Sequence, residues 1–183
     1  MDFRTTSTNR SQRSRRGLGL IEFVVATGIS SLVLAALGSL GYFSARSFAA
    51  MANYVDLDMK SRAALDQMSK DIRQCNNLSS FATNQLVFNY GNGVTLTYQY
   101  DASAKTLTRT LNNLSKVLLT ECDYLNFAIF QRNPVGGTYN QYPTADPSTC
   151  KLVQLNWVCS RTILGSRANT ESVQSAKIVI RRQ

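Results

Sequence analysis

A chain of 183 residues, 44% of them hydrophobic, has room for one globular body with an appendage and enough apolar material for a real core. It contains no histidine, which excludes imidazole metal sites and histidine-based acid–base catalysis. Arg4, Arg10, Arg13, Arg15 and Arg16 crowd the start against Asp2 alone, so the net charge of +9 falls to +5 without residues 1–17. A surplus that small belongs to a solvated surface, and nucleic acid is not an expected partner of the body.

Residues 1–17 are polar, rich in Ser, Thr and Arg, and without periodicity, which predicts a disordered leader. Residues 18–43 carry one charge, Glu22, and exceed the roughly 20 apolar residues that cross a bilayer. The basic flank before this span places the N-terminus in the cytoplasm and the rest of the chain outside it. Residues 44–78 continue the helix as an amphipathic half. Phe48, Met51, Ala52, Val55 and Met59, then Leu65, Met68, Ile72 and Cys75, recur at helical spacing and are expected to cover a sheet. Asp56, Lys60, Arg62, Asp66, Lys70 and Arg73 fill the other faces, and Asn76-Asn77 marks the end, near Leu78.

Residues 79–183 read as an antiparallel β domain. The expected strands are 85–90, 94–100, 106–110, 123–131, 151–159 and 176–181, with Gly91-Asn92-Gly93 as a hairpin turn and 101–104 as the next. Residues 116–121 fit a strand or a loop. Residues 132–149, with Pro134, Gly136, Gly137, Pro143 and Pro147, read as a long loop. The fold class is α+β: a long N-terminal helix, its first half transmembrane, packed on a C-terminal antiparallel sheet.

The four cysteines, Cys75, Cys122, Cys150 and Cys159, all follow the span and so face an oxidising compartment. Three connectivities are open. No Cys-x-x-Cys occurs, which argues against zinc or thioredoxin-like chemistry. A strand over 151–159 holds Cys150 and Cys159 roughly 30 Å apart, far beyond the about 4.4–6.8 Å of a disulfide. An antiparallel pair of 123–131 with 151–159 brings Cys122 near Cys159, which leaves Cys75 with Cys150 by elimination. Asp56/Asp58 and Glu121/Asp123 are close carboxylate pairs that fit solvated charge better than calcium. No catalytic grouping, phosphate loop or dinucleotide motif appears, so neither metal, cofactor nor enzymatic activity is expected.

The most informative segment is Arg15-Arg16-Gly17-Leu18-Gly19-Leu20-Ile21-Glu22-Phe23. A secretory signal is cut after its apolar region. Here the small-residue junction preceded by basic residues lies ahead of that region, so a cut there leaves the membrane segment on the mature protein. This arrangement resembles the prepilin signal of type IV pilins and type II secretion pseudopilins: a basic leader, Gly, a hydrophobic residue, three more residues, then Glu and an apolar helix. Leu18 stands where the family usually has Phe, and Gly19 where it has Thr.

By that resemblance, prepilin peptidase cuts between Gly17 and Leu18, Leu18 is N-methylated, and Glu22 pairs with the amino terminus of a neighbouring subunit. Leu65-Asp-Gln-Met-Ser-Lys-Asp-Ile-Arg-Gln-Cys75, Leu107-Thr-Arg109, Val117-Leu-Leu119, Leu125-Asn-Phe127 and the closing 176–182 run are similar to PilW-type minor pilins and J-type minor pseudopilins. The implied function is a minor subunit that initiates or caps a pilus or secretion pseudopilus. Its implied partners are other pilins, the peptidase and the assembly machinery of the bacterial inner membrane. The rival expectation is a membrane-tethered extracytoplasmic binding protein, an adhesin or DNA-uptake component using the 132–149 loop.

Overall fold

From residue 20 onward the chain meets no proline until position 134, and nothing in the apolar run interrupts helical geometry. In the computed structural model, which describes residues 19–132, 141–162 and 171–181, one helix, α1, spans Leu20–Gln74. The chain divides after Ala45 into two units. The described part of the first is the apolar start of α1, where residues 19–45 are all exposed. The second unit, from Arg46 onward, holds the rest of α1 and every strand.

α1 stops at Gln74, four residues before the expected Leu78. The last helical amide, Cys75 N–H, donates to Asp71 O at 3.1 Å, and the next, Asn76 N–H, donates instead to Asn89 O of a strand at 2.9 Å. The chain therefore passes straight into β1 (Asn77–Ala82), a strand the sequence reading missed. β2 (Gln85–Gly91), β3 (Val94–Asp101), β4 (Thr106–Leu111) and β5 (Leu114–Leu119) follow as a meander, and the five form one antiparallel sheet in chain order. The stretch left open between strand and loop, 116–121, is thus mostly β5. Its hairpin turns on Asn112 and Asn113, both at positive φ (50° and 63°), the backbone of a primed two-residue turn.

A second antiparallel sheet, in the order β7-β6-β8-β9, comprises β6 (Cys122–Arg132), β7 (Gln141–Pro143), β8 (Leu152–Ser160) and β9 (Glu171–Val179). The domain accordingly has two sheets where the sequence pattern implied one. β9 begins and ends earlier than the expected 176–181. The 132–149 segment is not all loop: it contains β7 and a short 3-10 turn, Pro147–Thr149, capped by the Asp146 side chain; residues 133–140 lie outside the described residues.

The core lies between the second half of α1 and the inner faces of both sheets. Leu86, Phe88, Leu96, Tyr98 and Leu107 fill it from the first sheet, and Leu125, Phe127, Val153, Leu155, Trp157 and Ile178 from the second. α1 contributes Leu57, Ser61, Ala64, Met68, Asp71 and Ile72, a stripe at spacings of three and four. Of the expected covering face, Met68, Ile72 and Cys75 are buried as expected, and the rest is corrected. Leu65 is only partly buried, while Phe48, Met51, Val55 and Met59 are exposed, at 72, 64, 46 and 59%. The buried stripe begins only at Leu57, and it uses small and polar residues where a hydrophobicity pattern looks for large apolar ones.

Candidate functional site

The first turn of α1 carries Glu22. Gly19 takes the N-cap position, its carbonyl accepting from Glu22 N–H at 3.0 Å and Phe23 N–H at 3.2 Å. The Glu22 carboxylate, on the third helical residue, reaches back and accepts from Gly19 N–H at 3.1 Å. This is one half of a capping box: an anion at the positive end of the helix dipole that also satisfies an amide the helix leaves open. Glycine at 19 cannot supply the other half, because it has no side chain to offer the helix amides.

Downstream of this cap, three hydroxyls of the apolar segment bond the helix's own backbone. Thr27, Ser31 and Ser39 each donate a hydroxyl to a carbonyl three or four residues back, at 2.7, 2.8 and 2.8 Å. Such back-bonding is what hydrocarbon demands of a hydroxyl. Large apolar side chains from Leu20 to Phe43 stand exposed, a surface that water does not tolerate uncovered at this size. The segment is long and apolar enough to cross a membrane. Gly17 and Leu18, the expected cleavage pair and methylation position, lie outside the described residues.

The globular unit binds α1 at two levels. At the upper level Asp71, 3% exposed, accepts from Arg109 Nε at 2.6 Å, Arg109 Nη2 at 3.3 Å, Tyr98 Oη at 2.6 Å and Gln67 Nε2 at 3.0 Å. Burial pushes the Asp71 carboxyl up, but the hydrogen bonds from Arg109, Tyr98 and Gln67 and the guanidinium charge outweigh it and hold the group below its ordinary range. The 65–75 stretch, of α1 and its end, and the 107–109 stretch of β4 therefore meet in one ion pair. Sequence reasoning placed Asp71 on the helix without giving it a role, because a buried carboxylate is invisible until its partner's strand is placed.

At the lower level Arg161, just past β8, grips Glu121 with Nε at 2.9 Å from both carboxylate oxygens and Nη2 at 2.6 Å. The same guanidinium donates to Asn53 at 2.7 Å and Asp56 at 3.1 Å on α1. Glu121 holds a positive φ of 59° in the turn between β5 and β6, so the clamp ties helix, turn and strand end together.

These contacts also account for the carboxylate pairs singled out in the sequence. Asp56 bonds Lys60 and Arg161, Asp58 bonds Arg62, Glu121 bonds Arg161, and Asp123 bonds Lys105 and Ser160. Each oxygen set is committed to a cation or hydroxyl. Among the described residues no group of three or more Cys, Asp or Glu is placed to hold a metal.

All four cysteines are buried. Cys122 sits directly opposite Cys159 in the β6–β8 register, as the hairpin pairing anticipates. A bulge follows at Asp123, turning that carboxylate toward Lys105 and Ser160. The Cys122 thiol donates to Tyr124 O at 3.3 Å. Cys75 and Cys150 lie between elements and share no ladder position. The Cys75 thiol donates to Asp71 O at 3.1 Å, and the Cys150 thiol to Leu152 O at 3.6 Å.

Comparison of the chain with protein-family models, with curated proteins and with solved structures gives no match. Its functional reading therefore rests on its own residues.

Proposed function

We propose that this protein is a minor subunit of a type IV pilus or type II secretion pseudopilus, made as a precursor and cut by prepilin peptidase between Gly17 and Leu18. The observation that carries the proposal is the position of Glu22. It is the single charge in a long apolar helical segment, it lies in the first turn of α1, and a basic leader ending in Gly17 precedes it. A carboxylate in that setting costs several kcal/mol unless it is paired. Gly19 N–H supplies one donor at 3.1 Å, which is a neutral partner for a full charge. Cleavage after Gly17 creates a cationic amine one residue before Gly19, and a second subunit brings another. Assembly then pairs charges that the membrane leaves exposed.

On this reading the leader stays in the cytoplasm, the apolar half of α1 sits in the inner membrane before assembly, and the β domain lies outside the cytoplasm. Methylation of Leu18 follows the cut. The protein is the substrate of the peptidase and carries no catalytic role itself. The alternation of a long helix with a two-sheet antiparallel body supports this reading, as does the meeting of the 65–75 and 107–109 stretches at Asp71 and Arg109.

The test is Gly17→Val expressed in a host that carries prepilin peptidase. The expected outcome is full-length precursor held in the membrane and absent from filaments, while wild type is shortened and incorporated. Normal shortening of the Gly17→Val chain contradicts the proposal.

A further inference from the structure

We infer that Cys122 and Cys159 form a cross-strand disulfide in the mature protein, and that Cys75 and Cys150 remain permanent thiols beside it. The geometry is specific to one pair. Directly opposed residues of an antiparallel ladder have Cα atoms about 4.5 or 5.5 Å apart, and both values fall within the about 4.4–6.8 Å that a disulfide spans. Cys122 and Cys159 occupy such a position. Cys75 follows the last helical residue, and Cys150 follows the 3-10 turn, which packs against β1 of the first sheet and β6 of the second. Their thiols, like that of Cys122, donate to backbone carbonyls within their own segments.

Burial, with the Asp71 charge, pushes Cys75 up to about 12, and burial pushes Cys150 up to about 11, so both stay protonated in the folded domain.

The chemistry needs a disulfide-bearing oxidant, which the extracytoplasmic placement supplies; only that supply rests on the proposed function. One cysteine of the pair, as thiolate, attacks the oxidant disulfide and releases one of its thiolates. The other then gives up its proton and attacks the first cysteine's sulfur in the mixed disulfide, expelling the second oxidant thiol. Two electrons and two protons pass to the oxidant, and one sulfur–sulfur bond forms. In the folded domain Cys122 and Cys159 are 0 and 1% exposed, beneath Ser61 of α1. Oxidation therefore precedes the docking of the helix on the sheets, and once docked the helix shields the bond from reductants.

The experiment uses the full-length chain in detergent, unfolded, refolded with oxidised glutathione, alkylated and mapped by mass spectrometry without reduction. The expected result is one linked peptide pair, 122 with 159, that has lost two hydrogens, with Cys75 and Cys150 alkylated after denaturation. Cys75→Ala/Cys150→Ala keeps the linkage in full; Cys122→Ala loses it without a substitute forming. A peptide joining Cys75 to Cys150 or to Cys122, or free thiols at all four positions after this refolding, overturns the inference. Mapping the protein taken directly from cells separates the two readings. Four free thiols there, beside a 122–159 link after glutathione, support the pairing and overturn the extracytoplasmic placement.

Discussion

Asp71 of α1 and Arg109 of β4 form a buried ion pair, with Arg109 Nε 2.6 Å from Asp71 Oδ2 and the side chains 15 and 4% exposed. It fixes the end of the long helix to β4 of the first sheet, with Tyr98 Oη of β3 as a third member. Removing one partner strands the other charge in the core. Arg109→Met is expected to lower unfolding free energy by about 3 kcal/mol, and Asp71→Asn/Arg109→Met together by less than Arg109→Met alone. Denaturant titration of the wild type, Asp71→Asn, Arg109→Met and the double variant measures the coupling directly.

The same pair sets a pH dependence. The Asp71 carboxyl titrates below its ordinary 3.8 in the folded state. Its contribution to stability is therefore complete above that value and is lost as pH falls through the lower, folded-state value. In Arg109→Met the hydrogen bonds and charge that overcome burial are diminished, so the sign reverses and stability rises as Asp71 takes up a proton. Denaturant midpoints measured from pH 7 downward distinguish the two slopes.

Ser61 shows why much of the core was not legible in the sequence. It is fully buried and accepts from Trp157 Nε1 at 3.4 Å and from Ser172 Oγ at 3.5 Å. A hydrophobic pattern passes over it and selects Met51, Val55 and Met59, which are exposed. Ser61→Leu, an improvement by pattern, is expected to cost about 2 kcal/mol through overpacking and the loss of acceptors for Trp157 and Ser172. Ser61→Ala costs about 1 kcal/mol through the acceptors alone. The chain has one tryptophan, so fluorescence of Trp157 during denaturation reports on this contact.

What the sequence did reveal was periodicity and punctuation. Strand alternation placed β2, β3, β4, β6 and β8 to within a residue or so, and the β6–β8 pairing placed Cys122 opposite Cys159. β1 was hidden because Asn76-Asn77 reads as a helix end with a loop to follow. The β4–β5 hairpin was hidden because Asn112-Asn113 lacks the glycine that usually announces a primed turn, though asparagine tolerates the same backbone. Arg161 was hidden for a different reason: its partners Asn53, Asp56 and Glu121 come from segments far apart in the chain, and no local pattern joins them.

Arg161→Ala is expected to reduce stability by about 1 kcal/mol, the upper end for a partly exposed pair, because the Glu121 contact is bidentate. Glu121→Gln reproduces most of the loss. Lys60→Ala, which removes an exposed pair within α1, leaves stability unchanged. Denaturant midpoints in low and high salt check the ranking, with the Arg161 effect surviving salt better.

Glu22 separates capping from charge pairing. Glu22→Leu is expected to insert into membranes normally, since the span becomes more apolar, and to fail to enter filaments. Glu22→Gln keeps an oxygen that can accept from Gly19 N–H but has no charge for a neighbouring amine. If pairing drives assembly, Gln fails as Leu does. Wild-type incorporation of Glu22→Gln, scored by immunoblot of sheared filaments, assigns the carboxylate to the helix cap instead.

The mass of the mature N-terminal peptide, measured on protein purified from a host with prepilin peptidase, tests the central claim most directly. The account predicts a chain that begins at Leu18 and carries one N-methyl group, with Gly19 and Glu22 following. A mature chain that still begins at Met1, or one cut after residue 40 so that the apolar half of α1 is gone, contradicts it.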